Sequence, residues 1–114
     1  ITRRFEPNKV IRGAAHITGG GIAGNLERII PEGLCATINT KCWEPPSIFR
    51  YIQNRGKIST PEMYRVFNMG IGFIIVVNRD YLSSVQNYLE KNIKEKYYLI
   101  GVIEEGINKV KMIY

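Results

Sequence analysis

The sequence predicts an α+β domain with a mixed β-sheet and helices packed on it. Segments of strand-like and helical spacing follow each other in the order β-α-β-α-α-β-α-β-β, which favours this class. Glycine and proline residues separate most of these segments. The 114 residues, 45% of them hydrophobic, are enough for one domain with its own core and too few for two. We therefore expect a single domain over residues 1–114.

The first third of the chain alternates strand, helix and strand. Residues 10–17 have the composition of a strand, with small residues midway. Residues 22–30 carry apolar side chains at helical spacing, and Pro31 is expected to end that helix. Residues Leu34 to Asn39 alternate apolar and polar side chains, which predicts a half-buried strand.

Two helices are predicted next. The proline pair at 45–46 favours the start of the first helix, and Gly56 is placed to end it. The second helix runs to about Phe67, and either Ser59 or Thr60 can cap its N-terminus.

The last third is predicted to contain three strands and one helix. The continuous β-branched run over 71–77 indicates a central strand covered on both faces. Asp80 is expected to cap a helix whose apolar residues share one face. Residues 98–103 and 109–113 are expected to close the domain as two strands around a turn at 106–108.

Charge and composition narrow the function. A net charge of +6 is compatible with a polyanionic partner, either nucleic acid, a membrane surface or phosphorylated metabolites, but the charges are spread along the chain. The longest apolar run is far short of the ~20 residues that a membrane helix needs. Asp80 is the only aspartate, and enzymes that use Mg²⁺ with nucleotides usually bring carboxylates together. The chain therefore has fewer suitable carboxylates than we expect of a complete enzyme that uses nucleotides.

The first candidate site is the run His16-Ile17-Thr18-Gly19-Gly20-Gly21 between a strand and a helix. Glycines permit positive φ and let a ligand approach the backbone, and a helix start offers unpaired N–H groups. The run matches neither the P-loop nor the dinucleotide fingerprint. Two interpretations stay open: a phosphate-binding loop and a tight structural turn.

His16 is the only histidine, placed at the carboxyl end of the first strand. There it can donate a hydrogen bond to a substrate oxygen or move a proton near neutral pH. The alternative is a buried histidine satisfied by backbone groups. Metal ligation is not expected, because no second ligand stands at suitable spacing.

The second candidate site is the run from Phe67 to Gly72 at the entrance of the 71–77 strand. It has an amide side chain, Asn68, followed by glycines at 70 and 72. Glycines here indicate a close approach, either by a ligand or by a packed neighbour. Both interpretations stay open.

Two motifs in these runs are similar to those of a known family. AHITGGG at 15–21 and EMYRVFNMGIG at 62–72 stand in the order found in the C-terminal domain of phosphoribosylformylglycinamidine cyclo-ligases, also called aminoimidazole ribonucleotide synthetases. The resemblance extends from about Arg12 to Ile103. Because two separate motifs match, we identify the chain as a member of this family.

The resemblance implies an activity and an architecture. Family members use ATP to close formylglycinamidine ribonucleotide to aminoimidazole ribonucleotide in purine biosynthesis. They are cytoplasmic homodimers of two-domain subunits, and the N-terminal domain supplies most ligands to ATP and Mg²⁺. This chain is then the C-terminal, substrate-cleft half, with its own N-terminal domain as partner. We expect it to be inactive by itself.

The resemblance also implies a set of cleft residues. His16 is expected to act on a proton or to orient a substrate oxygen. The residues expected to bind phosphate or substrate are Thr18, Gly19, Gly20, Gly21, Asn25, Arg28, Asn68, Gly70 and Gly72.

Other functions remain as alternatives. Relatives of the same architecture include formylglycinamidine ribonucleotide synthetase, selenophosphate synthetase and thiamine-phosphate kinase. A small basic nucleic-acid-binding module is the distant alternative, and it predicts binding that weakens steeply with salt. The resemblance favours the cyclo-ligase, and we expect neither nucleic acid nor membrane as a partner.

Overall fold

The computed structural model describes residues 10–114, which form five strands and four α-helices in the predicted order. The elements are β1 (Ile11–His16), α1 (Gly21–Leu26), β2 (Leu34–Asn39), α2 (Ser47–Gly56), α3 (Thr60–Val66), β3 (Phe73–Val77), α4 (Leu82–Asn92), β4 (Gly101–Glu105) and β5 (Lys109–Ile113). A 3₁₀ turn, Glu27–Ile29, continues α1 for part of the predicted 22–30 helix. None of the helices within residues 10–114 combines the length and apolarity needed to cross a bilayer.

The strands form two sheets instead of the single mixed sheet that was predicted. In the mixed sheet, β2 lies in the centre, antiparallel to β4 and parallel to β5. β1 and β3 form a separate antiparallel ribbon. The α+β class is confirmed in this coarser form, with helices packed beside two sheets.

The two closing strands and the turn between them are present, but the strands do not pair with each other. β4 and β5 both pair with β2, which lies between them, so residues 106–108 cross the end of the central strand. The crossing is close: a Cβ on Gly106 would lie 2.8 Å from the Cβ of Cys35. β4 also begins at Gly101, later than the predicted Tyr98. A turn signal between two apolar runs fixes the turn but not the partners of the strands.

The strand predicted over 71–77 is present in part, but its predicted central position is wrong. The strand begins at Phe73, and within the described residues it pairs only with β1. Its side chains alternate: Ile74 is buried, whereas Phe73 is 58% exposed and Ile75 36% exposed. The prediction failed because a continuous apolar run contains no alternation from which an open face could be inferred.

The cap predicted for α4 lies two residues earlier. The side-chain oxygen of Asn78 accepts a hydrogen bond from the N–H of Asp80 at 3.0 Å and starts a 3₁₀ turn that leads into α4. Asn and Asp are nearly equivalent caps, so sequence alone did not separate them. For α3, the choice left open is settled, because the hydroxyl of Ser59 accepts from the N–H of Glu62 at 3.4 Å.

The core lies between the two sheets, α1 and α3. Its most deeply buried large side chains are Ile22 and Leu26 of α1 and Met63 of α3. These three side chains anchor the two helices to one another and to the sheets. As a consequence, the start of α1 is held at a fixed place beside α3, and this is where the first candidate site lies.

Candidate functional site

The two motifs meet at one end of the β1–β3 ribbon. We call residues Thr18–Gly21 the first glycine loop and residues Asn68–Gly72 the second glycine loop. Because β1 and β3 are antiparallel, the segment that follows β1 and the segment that precedes β3 emerge at the same end. The N–H of Ile17 donates to the carbonyl of Gly72 at 2.9 Å and extends the ladder into both segments. The structure therefore brings the two candidate runs side by side.

The first glycine loop is packed at one end and open at the other. Gly21, with φ of 70°, is buried, and a Cβ there would lie 2.0 Å from the carbonyl oxygen of Tyr64. Gly20 has φ of 98°, and no heavy atom would lie within 4 Å of a Cβ on Gly19 or Gly20. Gly21 is thus required by its contact with α3, whereas Gly19 and Gly20 form an exposed edge.

The N–H groups on that edge are open. The N–H of Gly21 donates to the carbonyl of Thr18 at 3.2 Å, which closes the turn. The N–H groups of Gly19 and Gly20 donate to no acceptor within residues 10–114. No side chain caps the start of α1. Two backbone donors of adjacent exposed residues are therefore available to a bound molecule.

Asn25 holds the first glycine loop from the side of the protein interior. It lies on α1, is only 5% exposed, and its Nδ2 donates to the carbonyls of Gly21 (2.7 Å), Thr18 (3.2 Å) and Gly19 (3.3 Å). Its Oδ1 accepts from the Thr18 hydroxyl at 3.3 Å. The side chain expected to bind a ligand is used inside the protein instead.

The second glycine loop is a tight turn. Met69 and Gly70 have φ of 54° and 93°, and the N–H of Ile71 donates to the carbonyl of Asn68 at 3.0 Å. The Asn68 side chain accepts from the N–H of Gly70 at 2.8 Å. A buried methionine with positive φ is uncommon and is held by its surroundings.

A tryptophan and a proline fix this turn from the other side. The Nε1–H of Trp43 donates to the carbonyl of Met69 at 3.1 Å. A Cβ on Gly70 would lie 2.5 Å from Cδ of Pro46, so both the space and the φ require glycine there. Gly72, in contrast, is exposed, and a Cβ added to it would have no heavy atom within 4 Å. Trp43 is not among the residues predicted for the site, although it supports this turn.

His16 lies on the exposed face of the ribbon, opposite Phe73. The interpretation as a buried histidine is therefore wrong, and the imidazole is accessible next to the first glycine loop. Arg28 is exposed on the 3₁₀ turn after α1. No hydrogen bond or ion pair joins it to either loop within residues 10–114.

A cavity of about 320 Å³ lies beside Gly20, between α1 and α3. Tyr64 and Arg65 form part of its wall, and neither was predicted as a site residue although both belong to the second motif. Burial raises the pKa of the Tyr64 phenol above its ordinary value, partly offset by a hydrogen bond with Thr40. Arg65 is ion-paired with Glu62. The cavity wall is mostly apolar, and the positive charge of Arg65 in it is paired with Glu62.

The described part of the chain contains no cluster of metal-ligating side chains. Within 10–114, no three His, Cys, Asp or Glu side chains lie close enough together to hold a metal ion.

Together these features define an α+β domain that presents two adjoining glycine loops and an exposed histidine at one end of a β-ribbon. Comparison with known proteins then gives its family. The chain belongs to the family described as AIR synthase related protein, C-terminal domain, whose model matches residues 3–112.

Curated relatives agree with this family. Proteins named phosphoribosylformylglycinamidine cyclo-ligase are 52% identical over 101 residues in Pseudothermotoga lettingae, 48% over 96 in Thermodesulfovibrio yellowstonii and 46% over 96 in Bacillus subtilis. These matches cover 87%, 84% and 84% of this chain, and 29%, 28% and 28% of the relatives. The resemblance is confirmed, and the chain spans less than a third of the length of these relatives.

Proposed function

We propose that this chain is the substrate-cleft domain of an ATP-dependent ligase that closes formylglycinamidine ribonucleotide to aminoimidazole ribonucleotide. The names of its relatives support this reaction. The observation that carries the proposal is the hydrogen bond between Ile17 and Gly72, which places both family motifs at one exposed edge. A ligand bound there would contact both motifs at once.

The geometry of the first motif supports a role for each of its residues. The open N–H groups of Gly19 and Gly20 receive an anionic part of the substrate or of ATP, since backbone donors suit phosphate oxygens. The Thr18 hydroxyl and the short packed end at Gly21 shape the loop. His16, exposed beside them, orients a substrate oxygen or transfers a proton to it.

The second motif forms the opposing wall. Gly72 leaves space next to His16, and the turn containing Asn68 and Gly70 borders that space. Arg28, exposed beyond α1, adds positive charge that attracts the phosphorylated substrate.

In our proposal, most residues that bind ATP and Mg²⁺ lie outside this domain. ATP and Mg²⁺ are bound mainly by an N-terminal domain, and the complete enzyme is a cytoplasmic homodimer. The chain by itself is then inactive, because it lacks the residues that hold the nucleotide and its metal.

The proposal is tested by assaying the longer enzyme that contains this domain. We expect ADP release that depends on formylglycinamidine ribonucleotide, and no turnover by residues 1–114 alone. Replacement His16→Ala should lower kcat with little change in KM if the imidazole acts in the transition state. Lys91→Ala, an exposed change on α4, is the matched control.

The outcomes separate the claims. A pure rise in KM for His16→Ala would leave the histidine as a substrate-binding group only. A longer enzyme that releases no ADP with this substrate, although it is folded and binds ATP, would refute the proposed reaction.

A further inference from the structure

Resting on the proposed function, we propose that Asn25 is a positioning residue of the substrate site. Its buried carboxamide turns the carbonyls of the first glycine loop inward and thereby presents the N–H groups of Gly19 and Gly20 to an anionic group of the ligand. The side chain itself does not touch the ligand.

The hydrogen bonds of Asn25 show why it is internal to the protein. Its Nδ2 has two hydrogens and three carbonyl oxygens within reach, those of Thr18, Gly19 and Gly21. With 5% of its surface exposed, it has no donor left for a ligand. Oδ1 lies within hydrogen-bond distance of the Thr18 hydroxyl, which fixes the orientation of the carboxamide.

The geometry of the peptide bond links the two sides of the loop. In a planar trans peptide, the C=O of one residue and the N–H of the next point in opposite directions. When Asn25 holds the carbonyl of Thr18, it therefore directs the N–H of Gly19 away from itself. The same bond to the carbonyl of Gly19 directs the N–H of Gly20. Neither of these two N–H groups has an acceptor within residues 10–114.

The chemistry requires an amide at this position. An aspartate of nearly the same shape would place acceptor oxygens against three carbonyl oxygens, which cannot be satisfied while it is ionised. The loop must then rotate its carbonyls elsewhere, and the two N–H groups lose their common direction. An exposed asparagine does not hold these carbonyls, so Asn54 on α2 is a suitable control for the same substitution.

The test uses the ¹⁵N-labelled 114-residue chain with inorganic phosphate as the probe. In the wild-type chain, phosphate should shift the amide resonances of Gly19 and Gly20 more than those of other residues. Asn25→Asp should weaken this response at least ten-fold. Asn54→Asp makes the same change of charge at an exposed position and should leave it unchanged.

A second variant covers the case in which Asn25→Asp does not fold. Thr18→Val removes the hydroxyl that donates to Oδ1 while keeping a β-branched side chain, and it should weaken the phosphate response two- to five-fold. A folded variant is recognised by unchanged resonances of the core residues Ile22 and Met63.

Two results would overturn the inference. One is a folded Asn25→Asp chain that keeps the wild-type response at Gly19 and Gly20. If Asn25→Asp does not fold, the same result in a folded Thr18→Val chain counts instead. The other is a wild-type chain in which phosphate shifts neither amide. The proposed function is decided separately, by turnover of the longer enzyme. A loss of response in Asn25→Asp together with absent turnover would support Asn25 as a positioning residue and refute the reaction.

Discussion

The two glycine loops lie side by side, and an asparagine holds different backbone groups in each. In the second loop, the N–H groups of Gly70 and Ile71 are both consumed by Asn68, through its side chain and its carbonyl. In the first loop, the carbonyls are consumed by Asn25, and the N–H groups of the exposed glycines stay open. This difference supports the proposal that the first loop receives an anion and that the second loop forms the opposing wall.

The loops also differ in what holds them in place. Gly21 rests directly on the backbone of α3, with no room for a side chain. The second loop depends on side chains: Trp43 donates to the carbonyl of Met69, and Met69 is buried with positive φ. The left-handed conformation costs a non-glycine residue about 1–2 kcal/mol, which the surrounding packing must offset. One loop is therefore fixed by backbone contact and the other by side-chain support.

Gly21→Ala should have the largest effect. Its Cβ would lie 2.0 Å from the backbone oxygen of Tyr64, at a φ of 70°, so the helices must separate. We expect the free energy of unfolding to fall by about 3 kcal/mol or more, measured by urea denaturation with circular dichroism. Gly19→Ala, with open space and no positive φ, should cost less than about 1 kcal/mol. Equal costs would show that the first loop is not fixed by its contact with α3.

Trp43→Phe should have an intermediate effect. It removes the donor to the carbonyl of Met69, and a buried group that loses its partner costs about 1–3 kcal/mol. The same denaturation measurement gives the loss, with Tyr88→Phe on the exposed side of α4 as control. If the two variants were equally stable, the tryptophan would not be the support of the second loop.

Asn68→Ala should have the smallest effect. The bond to the N–H of Gly70 lies at an exposed position where water can replace it, so we expect a loss of about 0.5–1 kcal/mol. Hydrogen exchange should report it directly, because the Gly70 amide loses its acceptor and should exchange faster. The exposed Asn54→Ala serves as reference. An unchanged exchange rate at Gly70 would contradict the assigned role of the Asn68 side chain.

Local elements were predicted well because their signals are local. β2 over Leu34–Asn39 and β5 over Lys109–Ile113 occupy the predicted residues. α2 ends at the predicted Gly56, although the residue in the left-handed conformation is the following one, Lys57. Alternation, helical spacing and glycine stops each involve neighbouring residues, so a single sequence contains them.

Strand pairing was not predicted because it is decided elsewhere in the chain. Nothing around 98–113 indicates that β2 would lie between β4 and β5. Likewise, the apolar run that ends at Val77 does not indicate which face of β3 stays exposed once β3 has paired with β1. Both errors concern partners distant in sequence.

For the candidate site, sequence and resemblance named the residues but not what each one contacts. Both motifs were expected in one cleft, and the structure places them side by side. The buried position of Asn25 and the contact of Gly21 with Tyr64 depend on how α1 packs against α3. The exposed position of His16 likewise follows from its pairing with Phe73, which the sequence does not specify.

The position of β2 also sets the order in which the domain can fold. Its partner strands are β4 and β5, near the other end of the described chain, so the mixed sheet has high contact order. During synthesis, β2 has neither neighbour until residues 101–113 have been made. Contacts between α1 and α3 span a shorter stretch and can form earlier, and domains rich in distant pairings fold slowly. The first glycine loop can therefore be anchored while the central strand still has both edges unpaired.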